Sequence, residues 1–187
     1  MSGGVDSSTA AALLQERGYS VLGVTMRLWR EAPLPDDDPA DCVAQARAVC
    51  RHLNVPHHVI DLRDDFERQV VDYLVAEYAR GRTPNPCLRC NRQFKYGALL
   101  RAARSLGASH LASGHYARIE HRPNGWHLLV AADAAKDQSY VLYALRQEQL
   151  AALLLPLGDL TKERVRALAG TMGLPAADRA ESQDICF

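Results

Sequence analysis

The chain has 187 residues, of which 48% are hydrophobic and 24% charged, enough apolar material for one globular domain and too much for a disordered chain. Twelve glycines and nine prolines without period exclude collagen-like sequence, and no apolar run approaches the ~20 residues of a membrane-spanning helix. Formal net charge is zero, yet residues 31–77 carry eleven acids against four bases, and residues 80–127 carry nine bases against Glu120 alone, the pattern either of two solvated faces that differ or of a localised polyanion-binding surface, the sharper reading.

In chain order, Ser2 to Ser8 leads straight into a helix over residues 7–17 that stops at Gly18. Residues 19–26 are a β-rich apolar run and read as a buried strand. Residues 30–41 form an acidic, proline-rich loop. A helix over 41–53, a strand over 57–62 and an amphipathic helix over 64–80 follow. Residues 81–86, with two prolines, read as loop. Phe94, Leu99, Leu100, Ala103 and Leu106 then mark a helix over 90–106, with Cys42 and Cys50 earlier placed on a helix as inert buried thiols. A short strand at 110–113 precedes a hairpin about Pro123-Asn124-Gly125, and helices are expected at 139–145, 147–154 and 161–172. The alternation implies an α/β unit with a parallel sheet. No strand precedes the opening loop, and the final Ile185-Cys186-Phe187 run has no stop signal, so the chain reads as a piece of a longer protein clipped at both ends. Its start lacks the basic and apolar regions of a signal peptide. Five cysteines in that context suggest a cytoplasmic protein whose thiols serve chemistry or metal.

Two segments carry chemistry on their residues alone. In Ser2-Gly3-Gly4-Val5-Asp6-Ser7-Ser8, glycines permit φ > 0 and close approach to an anion, the helix start offers free N–H groups, and Ser2, Ser7 and Ser8 add hydroxyls. A Gly-Gly turn with Asp6 or Ser7 as an ordinary N-cap explains two or three of these residues but not all seven. The second is Asn85-Pro86-Cys87-Leu88-Arg89-Cys90, two thiols at CxxC spacing beside Arg89 and Arg92, a setting that favours thiolates. Structural zinc, thiol or sulfur-transfer chemistry, and a cluster completed by a distant cysteine all remain open for it. Cys186, between Ile and Phe, would by itself read as core.

SGGVDSS resembles the pyrophosphate (PP) loop of the ATP pyrophosphatases, which split ATP between the α and β phosphates. With Met26 in GVTM, GRTPNPCLRCN and Phe94-Lys95, SGHYAR at 113–118, KDQSYVLY at 136–143, LGDLTK at 157–162 and SQDICF at 182–187, the whole chain resembles the tRNA-specific 2-thiouridylase family. That resemblance implies a Rossmann-like, adenine nucleotide α hydrolase-like parallel sheet flanked by helices, with a small hairpin and C-terminal helices. It divides the chain into a PP-loop domain over 1–145, lacking its first strand, and a helical extension over 146–187 that begins the catalytic-cysteine segment. A linking domain and a β-barrel would follow. It implies ATP and Mg²⁺, with Ser2, Gly3, Gly4, Val5, Asp6, Ser7, Ser8, Met26 and Gly114 at the nucleotide and Asp6 helping to hold the metal.

The implied reaction thiolates C2 of the wobble uridine in a tRNA anticodon loop. Sulfur arrives from a donor protein as a persulfide on Cys186, and Cys90 is the nucleophile that ends disulfide-linked to it. Asn85, Pro86 and Cys87 would meet the target base; His115, Lys136, Asp137 and Gln138 would contact tRNA. KDQS could equally cap a helix from Ser139, and His115 could be a satisfied turn histidine. One departure stands out: the more common family pattern has Asp where this chain has Cys87. Cys87, Cys90 and Cys186 form a ligand set for a 4Fe–4S cluster with one iron open to sulfide, so a cluster route stands beside the persulfide route, favoured by the surplus thiol. The competing readings are another PP-loop ATPase, such as a 2-thiocytidine synthetase, or a non-enzymatic metal- or RNA-binding module.

Overall fold

The computed structural model of the chain describes residues 1–29 and 41–179; the acidic loop and the segment bearing Cys186 lie outside the described residues. Helix α1 (Val5–Glu16) is apolar on nearly every face, from Val5 through Leu14, and so is buried centrally. Its buried Ser8 and Thr9 hydroxyls donate back to the Gly4 and Val5 carbonyls at 2.8 and 2.9 Å. Strand β1 (Gly23–Arg27) pairs in parallel with β2 (His57–Asp61) through α2 (Cys42–His52), a right-sized crossover whose N-cap Asp41 accepts from Val43 N and Ala44 N. On α2 Cys50 is buried, but Cys42 is exposed, contrary to expectation, because it precedes the inward stripe of Val43, Ala46 and Val49.

The helical stretch 63–79 consists of α3 (Arg63–Phe66), a π segment (Glu67–Val71) and α4 (Asp72–Ala79). A second stretch joins α5 (Pro86–Arg89), a π segment (Cys90–Ala98) and α6 (Leu99–Ser105). This one starts earlier than the sequence suggests. Pro86 belongs to the helix, because a proline at the first helical position loses no needed N–H and Asn85 caps it, accepting from Cys87 N at 3.0 Å.

Strand β3 (Leu111–Ala112) pairs in parallel with β6 (Leu153–Leu154), and β4 (Arg118–Arg122) pairs antiparallel with β5 (Gly125–Leu129) about the expected turn. Two of the expected helices shrink. Residues 139–145 yield a 3₁₀ turn (Ser139–Val141), and 147–154 become α7 (Gln147–Ala151) followed by β6, since Leu153 and Leu154 satisfy their backbone against β3. Helix α8 (Lys162–Thr171) lays Val165 and Ala169 against α1 in the main apolar cluster with Val49, Tyr116 and Leu157. Among the described residues no helix is long and apolar enough to cross a membrane.

Candidate active site

The N-terminus of α1 opens without a side-chain cap. Gly4 is its N-cap residue, and helix geometry leaves the first-turn N–H groups of Val5, Asp6 and Ser7 with no acceptor inside the helix. Only Gly3 takes a positive φ, +76°; Gly4 stays extended, so its lack of a side chain leaves space rather than conformational freedom. Arg179 Nη1 donates to the Gly3 carbonyl at 3.0 Å and fixes that peptide. The hydroxyls of Ser2 and Ser7 lie 3.0 Å apart at the mouth. Ser8 is not available to a ligand, contrary to the sequence reading: its N–H and its hydroxyl both serve Gly4 O, at 3.1 and 2.8 Å. Gly114 meets the same turn. A Cβ there would sit 2.7 Å from the Asp6 carbonyl carbon and 2.8 Å from Ser7 N, so glycine is what lets the two backbones touch.

Asp6 is the focus of this turn. Lys162 Nζ reaches its two carboxylate oxygens at 2.7 and 2.9 Å, and the Tyr116 hydroxyl donates to it at 2.9 Å. Lys162 is only 8% exposed, and its backbone is held by Asp133, which accepts from Lys162 N at 3.0 Å. Tyr116 is held by Gln138, whose Oε1 accepts from Tyr116 N at 3.0 Å while Gln138 N donates to Tyr116 O at 2.7 Å. Sequence reasoning assigned neither Lys162 nor Tyr116 a role. One signal was there: a lysine in the first turn of a helix opposes the helix dipole, so something other than helix stability holds it.

Of the segment assigned to tRNA, Gln138 and Asp137 point into the fold. Asp137 accepts from Ala131 N and Ser139 Oγ, both at 2.7 Å, while the 3₁₀ turn that follows has Gln138 at its N-cap and no side-chain cap hydrogen bond among the described residues. Burial pushes its carboxyl pKa up, but these hydrogen bonds win and hold it below the usual range. Lys136 is half-buried beside them. His115 shares Nδ1 with Ser113 Oγ and lies 3.1 Å from the Tyr96 hydroxyl. Burial, with the Lys95 charge added, lowers its pKa to about 3, so it is a neutral imidazole at physiological pH and contributes no cation.

At the cysteine helix Asn85 and Pro86 are the cap and first residue, Cys87 is exposed and Cys90 is buried. Cys90 packs with Phe66, Val70 and Phe94, and Met26, at the carboxyl end of β1, joins that cluster. The expected adenine contact and the expected nucleophile therefore share one wall. Wide π turns begin at Cys90, a geometry that concentrates at functional sites. Among the described residues no group of three His, Cys, Asp or Glu is placed to hold a metal. The basic stretch is also partly neutralised. Arg80 and Arg82 share Glu77, Arg118 meets Asp159 at 3.6 Å, Arg122 meets Glu120 at 2.9 Å, and Arg89 lies 3.7 Å over the Tyr73 ring with Nη1 on Gln69 O. Arg92, Lys95, Arg101 and Arg104, on one helical stretch, form no ion pair with a described residue.

The profile of the tRNA methyl transferase HUP domain matches residues 1–187. The chain belongs to that family. Proteins named tRNA-specific 2-thiouridylase MnmA are similar to the HUP domain chain throughout: 55% identical in Moorella thermoacetica, covering all of this chain and 54% of that protein, and 50% in Roseiflexus castenholzii, covering all of this chain and 56% of that protein. The chain thus spans about half the length of the relatives it matches. Among solved structures, an NMN synthetase from Francisella tularensis superposes with a TM-score of 0.56 at 21% identity, covering 97% of this chain and 64% of that one. That likeness confirms the Rossmann-like fold of the HUP family and nothing finer.

Proposed function

We propose that the chain is the ATP-using part of a cytoplasmic tRNA-uridine 2-sulfurtransferase, which thiolates C2 of the wobble uridine in the anticodon loop. The observation that carries this reading is similarity, over the whole of this chain, to proteins bearing that name. A urea-like C2 oxygen leaves poorly. It attacks the α-phosphorus of ATP, the α–β bridging bond breaks, and pyrophosphate departs toward the open first turn of α1, where backbone N–H groups and the helix dipole favour an anion. Sulfur then adds to C2, the C2–oxygen bond breaks, and AMP leaves.

Lys162 beside Asp6 places a cation at the end of the helix that receives the phosphates. Asp6 fits a Mg²⁺ held mostly by phosphate oxygens, since that ion needs only one or two protein carboxylates; it would neutralise phosphate charge. Met26 borders the adenine side. Cys90, within the same cluster, attacks the inner sulfur of a persulfide that a donor protein has built on Cys186; that S–S bond breaks, hydrosulfide leaves to add at C2, and a Cys90–Cys186 disulfide forms. A 4Fe–4S cluster gains no support among the described residues, because Cys87 opens to solvent, Cys90 sits among phenylalanines, and no third ligand stands by them. The four cations of the Arg92–Arg104 stretch, which form no ion pair with a described residue, suit the anticodon backbone.

The test is to incubate the protein at its full native length with tRNA, ATP and a persulfide source. Pyrophosphate and 2-thiouridine should both form and should require ATP. ATP consumption without 2-thiouridine would reject the substrate assignment, and no pyrophosphate would reject the reaction class.

A further inference from the structure

The turn after Lys136 carries two aromatic rings that the fold does not use. In the 3₁₀ turn Ser139–Val141 and the residues after it, Val141 and Leu142 are buried with Tyr96, Ala117 and Leu153. Tyr140 and Tyr143 face the other way and are 63% and 69% exposed. The turn is bolted to the cysteine helix. Asn91, which follows Cys90 and is 2% exposed, donates from Nδ2 to Val141 O at 2.9 Å, and Gln149 Nε2 donates to Tyr96 O at 2.7 Å. Among the described residues Asn91 Oδ1 is buried with no hydrogen-bond partner, so this asparagine is kept beside Cys90 at a cost, and its side chain makes one hydrogen bond there, the strut to the turn. Cations flank the turn in sequence and at its strut: Arg92 follows Asn91 and is exposed, Arg146 is exposed three residues beyond Tyr143, and half-buried Lys136 precedes the turn by three residues.

Two exposed rings on a turn flanked by exposed cations match single-stranded nucleic acid, whose bases stack while its phosphates meet the charges. We propose that Tyr140 and Tyr143 are a stacking platform for unpaired bases of an RNA loop, held by the Asn91–Val141 strut at a fixed distance from Cys87 and Cys90. The proposal rests on the sulfurtransferase reading and adds residues that hold the nucleotides flanking the target base. Both side chains are on the surface, so replacing them leaves the core untouched.

The experiment measures binding of a fluorescently labelled anticodon stem-loop over a range of salt concentrations, with the protein at its full native length. Tyr140→Leu and Tyr143→Leu should each weaken binding by about fivefold or more, and the Phe variants should bind like wild type. The slope against log salt should not change, because no phosphate contact is lost. Tyr19→Leu, another exposed tyrosine, should have no effect. Wild-type affinity in both Leu variants would overturn the platform while the sulfurtransferase reading stands on pyrophosphate release. A loss shared by the Phe variants would overturn it too, since the hydroxyl and not the ring would then matter. Protection of both tyrosines from nitration in the RNA-free protein would show that protein, not RNA, covers the patch.

Discussion

At Gly3 a Cβ would sit 2.5 Å from Gln45 Cβ and 2.9 Å from Ala46 N, on a backbone with φ +76°, whereas at Gly4 the nearest atom is Ser2 Oγ at 3.7 Å. Gly3→Ala should therefore destabilise the fold, by about 1–3 kcal/mol for the backbone strain before any clash is counted. Gly4→Val should cost about 1 kcal/mol as a poorer N-cap residue, but should fill the space in front of the first turn. Thermal melts with and without ATP separate them: Gly3→Ala lowers the Tm, while Gly4→Val melts near wild type and loses the ATP-induced rise. Lys162→Met keeps the buried stem and removes the charge. Pyrophosphate release should fall by about a hundredfold or more, as for removal of one preorganised stabilising group, with the melt little changed. His115 sets an acid limit. In the unfolded chain it takes a proton near its ordinary pKa of 6.5, but in the folded chain only near 3. Between those values the unfolded state holds the extra proton, so stability is full above about pH 6.5 and declines as pH falls toward 3. Urea unfolding of His115→Gln across that range should show a shallower decline than wild type.

The elements that periodicity defines came through from the sequence: α2, β2 and α8 all lie within a residue or two of their expected bounds, and the hairpin turns where Pro123-Asn124-Gly125 places it. Those decided by tertiary pairing did not. Leu153 and Leu154 have helical neighbours, and only the partner at Leu111–Ala112 makes them a strand. The open turn at the head of α1 and the helix that carries Cys90 were legible because glycines, serines and cysteines at fixed spacing have few other uses. Lys162 was not, because its partner Asp6 lies 156 positions away. Charge counting over 80–127 overstated the free cations for the same reason: Glu77 and Asp159 come from outside that window. Among the thiols, exposed Cys87 and buried Cys90 should separate cleanly. Cys87→Ser should keep most 2-thiouridine formation and bind no iron in either form, while Cys90→Ser should keep ATP binding and lose thiolation. Iron bound by anaerobically purified wild type and lost with activity in Cys87→Ser would restore the cluster route.

On the scale of the molecule, the N-termini of α1 and α8, the carboxyl end of β1 and the cysteine helix converge. That arrangement pairs Asp6 with Lys162 at the open turn of α1 and packs Met26 against the cluster that holds Cys90. Such a layout suits one base attacked first at phosphorus and then by sulfur, and it makes the fate of the uridine C2 oxygen the sharpest question. The measurement is mass spectrometry of the nucleotide product after a single turnover with anticodon-loop RNA carrying oxygen-18 at C2 of the target uridine. The adenylated-base route requires the label in AMP and none in pyrophosphate. Label in pyrophosphate or inorganic phosphate, or released to water, would contradict it.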